Sequence, residues 1–257
     1  PVPERPVTPV VVLALALFSA GGGPAARQAQ ASDLCQSPRL QEVFLAYIAP
    51  SGGSELGQPG AALRPFLPDA LRCLKQWVED GGVRDQLPLP YWGPDPQKAN
   101  DPSGTEVRTL YRLGALGLLG DVGQSDPSLS AWIRERMAAW PEPVQRAALA
   151  TLGTLKDAES VPLLSREARI ASGVRKAVAW SALARCAPRK AVSILVPIAE
   201  TTGEFALLGE AFLGVNDLVV IPVLEELAER DPAGTDAYRE RIRELQAEAA
   251  SPPKNVP

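Results

Sequence analysis

Leu116-Gly117-Leu118-Leu119-Gly120-Asp121 returns 36 residues later as Leu152-Gly153-Thr154-Leu155-Lys156-Asp157. It comes back altered as Leu183-Ala184-Arg185-Cys186-Ala187-Pro188 and then as Leu213-Gly214-Val215-Asn216-Asp217, after spacings of 31 and 30 residues. A period of this length marks a stack of similar supersecondary units, because one unit cannot bury its apolar face alone. Residues 106–234 therefore read as helical pairs. Each first helix opens near a Val-basic pattern: Val107-Arg108, Val144-Gln145-Arg146, Val174-Arg175-Lys176. The Leu-Gly segment reads as the turn, with second helices expected at 129–139, 161–170, 191–200 and 221–229. Pro162 and Pro222 sit where a missing N–H costs little. Asp126, Asp157 and Asp217 are placed to cap. Gly117, Gly153 and Gly214 either release the chain from its helix or let neighbouring helices approach closely. Pro197, inside the second helix of the third pair, predicts a kink.

Composition agrees with an all-α chain. Ala and Leu dominate, and alternating runs of Val, Ile, Thr and Tyr are missing. Histidine is absent, which excludes Ser-His-Asp, Cys-His and His-based zinc sites within this chain. The three cysteines form no C-x-x-C pair, so neither a metal nor a cofactor is expected and the enzyme reading is set aside. A net charge of −4 speaks against a nucleic-acid partner. The charge is uneven. Residues 173–203 hold five cations (Arg175, Lys176, Arg185, Arg189, Lys190) against Glu200, while residues 204–257 hold eleven acids against five bases. This reads either as ordinary solvated surface or as a basic patch for an acidic partner.

Residues 1–31 have the order of a secretory signal: Arg5, an apolar run from Val10 to Phe18, the break Gly21-Gly22-Gly23-Pro24, and Ala29-Gln30-Ala31. The run is too short for a permanent bilayer span, so no stable membrane span is expected in the mature chain. A periplasmic or extracellular location follows. The alternative is an N-terminal arm on a cytoplasmic protein. In an oxidising compartment Cys35 and Cys73 are placed to form one disulfide. Cys186 is then left over, as a buried thiol or, alternatively, as a reactive one beside Arg185 and Arg189.

Residues 32–80 read as an N-terminal helical pair, with helices at 38–48 and from about Pro68 to Asp80, separated by a loop over 49–60. Residues 81–105 read as a Pro- and Gly-rich loop. Tyr91 and Trp92 at its centre are either a contact anchor for a partner or a cover for the chain's own core. Residues 235–250, with Tyr238, Ile242 and Leu245 as a thin apolar stripe, read as a capping helix. A disordered tail is expected at 251–257.

Val144-Gln145-Arg146-Ala147-Ala148-Leu149-Ala150-Thr151-Leu152-Gly153, followed by Asp157-Ala158-Glu159-Ser160-Val161-Pro162-Leu163-Leu164, resembles HEAT-like repeats of the short bacterial variety found in phycobilisome lyase proteins. The resemblance covers about half the chain. It implies an α-solenoid with a curved surface for a protein or peptide partner. Ala184 and Pro188 depart from the pattern. A non-enzymatic scaffold or adaptor is the first expectation, with Arg185, Arg189, Lys190, Tyr91 and Trp92 as candidate partner contacts. A bilin lyase-like or tetrapyrrole-binding protein, and a structural subunit of an envelope assembly, are the alternatives. Sequence leaves the oligomeric state open.

Overall fold

The computed structural model describes residues 35–48, 59–67, 69–87 and 105–250. These are all-helical: twelve α-helices, and no strand among the described residues. They are α1 (Pro38–Ile48), α2 (Pro59–Leu63), α3 (Asp69–Asp80), α4 (Thr105–Val122), α5 (Pro127–Arg136), α6 (Glu142–Leu155), α7 (Val161–Ile170), α8 (Gly173–Cys186), α9 (Pro188–Thr202), α10 (Phe205–Leu213), α11 (Ile221–Arg230) and α12 (Thr235–Ala250). The expected leader, the centre of the loop with Tyr91 and Trp92, and the tail lie outside the described residues.

Two expectations need correction. The stretch read as a loop over 49–60 ends in a helix, α2, which continues as the 3-10 turn Arg64–Phe66 and buries Leu63. Pro59 suits a first helical position, and Ala61, Ala62 and Leu63 are strong helix formers. The Leu-Gly segments are also not turns. Leu116-Gly117 and Leu152-Gly153 lie inside α4 and α6, and only Gly214 sits at a helix end. The reason is helix packing. A Cβ on Gly153 would lie 2.6 Å from the Ala182 Cα and 2.8 Å from its carbonyl oxygen, so α6 and α8 touch backbone to backbone there. The local pattern resembles a helix end, but a neighbouring helix is what requires the glycine.

Contacts run in sequence order. α4 packs on α3 and α6, α6 on α8, and α8 on α10. The second helices fill in beside them: α7 and α9 pack on α8, and α11 on α10 and α12. Thr151 donates to the Leu116 carbonyl at 3.0 Å, tying α6 to α4, and Trp180 donates to the Ala168 carbonyl at 2.9 Å, tying α8 to α7. Asp126, Asp157 and Asp217 each accept a backbone N–H two residues on, as sequence predicts. α9 begins at Pro188 after Ala187, which supplies no such cap, contains Pro197, and runs on to Thr202.

The N-terminal helices are anchored in three ways. Cys35 and Cys73 are joined by a disulfide, both buried. Phe44 packs tilted against Trp77 and edge-on to Tyr111, at 4.6 and 5.8 Å between ring centres, joining α1, α3 and α4. Residues 81–87 fold back in turns, where buried Asp85 accepts from Trp77 Nε1 at 2.7 Å and Gln76 Nε2 at 2.8 Å. Arg108 of α4 donates to the Gly81 carbonyl. The opening of the expected loop is therefore part of the core.

Three stability outcomes follow. Replacing both Cys35 and Cys73 by Ala, or reducing the bond, opens a 38-residue separation and should lower unfolding free energy by about 3–4 kcal/mol, read from urea midpoints. Gly153→Ala should cost about 1–3 kcal/mol, since backbone must move. In Gly214→Ala the new methyl meets only the Arg185 guanidinium, at 3.5 Å, so the urea midpoint should shift by no more than about 0.5 kcal/mol equivalent.

Candidate functional site

The ends of the first helices line an open groove of about 420 Å³. Gln124 comes from the 3-10 turn that follows α4, and Lys156 from the end of α6. Arg185 and Cys186 come from the last turn of α8, and Asn216 and Asp217 from the link after α10. The groove passes four consecutive turns.

Helix ends set the positions of these side chains. α6 terminates at Lys156, whose backbone is left-handed at φ 54° and ψ 34°. Glycine is the usual residue there, because a side chain is strained in that conformation. Asp157 then turns the chain into the next 3-10 segment. Its carboxylate receives the Glu159 N–H and pairs with Arg134. The guanidinium of Arg185 lies across Gly214, where a methyl would meet it at 3.5 Å, an ordinary contact. Asp217 is engaged in capping through the Val219 N–H at 2.9 Å.

The cations of the 173–203 cluster divide into two groups. Arg175 donates to buried Glu167 and to Gln145, both at 2.8 Å, and Lys176 pairs with Glu204. Burial pushes the Glu167 carboxyl upward, but hydrogen bonds and charge from Arg175 and Arg166 outweigh it and hold the group below its ordinary value. Arg175 and Lys176 are thus internal pairings, not part of a patch. Arg185, Arg189 and Lys190 are exposed. Among the described residues nothing accepts from their side chains, from that of Lys156, or from the amides of Gln124 and Asn216.

Of the sequence candidates, the structure places Arg185 in the groove and Arg189 and Lys190 in the first turn of α9 beyond Pro188, which also lines it. Tyr91 and Trp92 are not among the described residues. Sequence reading missed Gln124, Lys156 and Asn216. One signal was present: Thr154, Arg185 and Val215 occupy the same place in successive copies of the repeat, and all three line the groove.

Cys186 is half-buried rather than fully buried, and its thiol donates to the Asp157 carbonyl at 3.2 Å. Burial first, and the Asp157 charge second, push this thiol up to about 11. That environment does not make a nucleophile, because the thiolate is the reactive form. Among the described residues no group of three or more His, Cys, Asp or Glu is arranged to hold a metal ion, and no helix is long and apolar enough to cross a membrane.

The chain matches no protein-family model, no curated protein and no solved structure.

Iodoacetamide at pH 8 should therefore alkylate Cys186 at least ~100-fold more slowly in the folded protein than in urea, where an ordinary thiol near 8.5 is partly ionised. Mass spectrometry of timed samples reads the rate; equal rates would contradict the burial argument.

Proposed function

We propose that the chain is a non-enzymatic interaction scaffold whose groove holds a segment of a partner protein. The observation that carries this reading is the groove itself. It crosses four consecutive turns, and its long polar side chains have no acceptors among the described residues. Polar side chains at the rim of a cleft, left without internal partners, are suited to fixing the orientation of an incoming chain.

On this reading residues 106–234 form an α-solenoid of HEAT-like pairs. Helix contacts that follow sequence order support it. So does α12, which buries Tyr238 and Leu245 and leaves most of its other residues exposed, as the end of a stack requires. Location in the periplasm or outside the cell is supported by the Cys35–Cys73 disulfide, since such bonds persist in oxidising compartments.

A photo-crosslinking residue at Asn216, in the groove, and another at Arg169, exposed at the end of α7, provide the test. In native envelope preparations the Asn216 probe should join a defined partner peptide, identified by mass spectrometry. Arg185→Glu should cut that yield about tenfold, as the loss of one charge-assisted contact would. Equal yields of the same products from both positions would remove the groove as the contact surface.

A further inference from the structure

We infer that the groove recognises an extended, acidic segment of the partner; this deepens, and rests on, the scaffold reading. Three observations carry it. Lys156 and Arg185 bring two positive charges to the groove, and neither has a carboxylate among the described residues. Of the acidic groups nearby, Asp157 pairs with Arg134, while Asp217 lines the groove and accepts the Val219 N–H but keeps its charge, so the lining carries two cations against one carboxylate. An incoming carboxylate therefore meets donors without displacing an internal partner.

The second observation is the contrast with neighbouring cations. Arg134, Arg175 and Lys176 each have a carboxylate of their own, on another element of the fold. Lys156 and Arg185 form no such ion pair among the described residues. Lys156 stands at a left-handed backbone position that glycine would occupy with less strain. The helix dipole favours a cation near that end, so a positive charge is compatible with α6, although the backbone alone favours glycine.

The third observation concerns shape. Packed helices stand about 8–10 Å apart, so four turns span ~25–30 Å, the length of about eight extended residues. A small anion occupies a fraction of that length. Gln124 and Asn216 carry amides that both donate and accept, which matches the alternating N–H and C=O groups of an extended backbone. Charge from Lys156 and Arg185 selects acidic side chains, and the amides hold the main chain. Arg189 and Lys190, exposed in the first turn of α9, extend the positive field beyond the groove.

Fluorescence anisotropy tests this with three labelled peptides of about eight residues, alike except that Asp and Glu in the first become Asn and Gln in the second and Lys in the third. The acidic peptide should bind the full chain at least ~10-fold more tightly than its amide counterpart, with affinity falling as salt rises. Arg185→Gln and Lys156→Gly should each weaken it several-fold. Lys156→Gly should do so at an unchanged or raised unfolding midpoint, which separates lost binding from lost structure. Equal affinity for acidic and amide peptides, or unaltered binding by both variants, overturns the inference. Complete competition by millimolar inorganic phosphate or free glutamate also overturns it, since the site is then one for small anions. In these cases Arg185-dependent cross-linking at Asn216 would leave the scaffold reading standing. Absence of both peptide binding and that cross-link would remove the two together.

Discussion

The backbone contact between α6 and α8 at Gly153 and Ala182 is the constraint on which the rest of the structure depends. Two helices approach this closely only where one presents no side chain. The flanking residues, Leu149 and Leu152 on α6 and Ala179 and Leu183 on α8, are all fully buried. The contact also brings the ends of α6 and α8 to one side, which places Lys156 and Arg185 along the same groove. A bulkier residue at position 153 would separate the helices and with them the two cations. The small-residue position and the proposed recognition surface are therefore linked by geometry, and Gly153 itself lines the groove.

Local signals were legible in the sequence. The Asp126, Asp157 and Asp217 caps, the bounds of α1 and α7, and the stripe on α12 depend on residues within a few positions of one another. The pairing of Cys35 with Cys73 also came through, because only three cysteines exist and Cys73 falls in the helical stretch that follows Cys35, far from Cys186. Features decided at a distance stay open in the sequence or are misread. For Gly117 and Gly153 the sequence leaves helix exit and close approach as alternatives, and the neighbouring elements decide for close approach; at Gly117 the close neighbour is the Tyr47 hydroxyl of α1. Arg175 and Lys176 resemble part of a surface patch because Glu167 and Glu204, their partners, belong to other segments of the chain. Lys156 was passed over because its distinction is a backbone angle and a position beside Arg185, neither of which is written in the residue type.

Charge carries the functional argument further than charge counting did. In sequence the five cations from 173 to 203 read either as ordinary solvated surface or as one basic patch. In the fold, two of those five are internal bonds, and a cation outside the cluster, Lys156, joins Arg185 instead. The positive surface thus crosses from one repeat to the next rather than following one stretch of sequence. Two exposed cations without a carboxylate partner add nothing to stability by ion pairing, and even a surface ion pair contributes only about 0–1 kcal/mol. Stability is thus a weak reason for holding Lys156 in a strained backbone state; contact with a partner is a stronger one. Desolvation beneath a bound chain raises the strength of the same interaction, since it removes the water that screens it. The groove geometry therefore turns two side chains of small structural consequence into the contacts on which partner choice would rest.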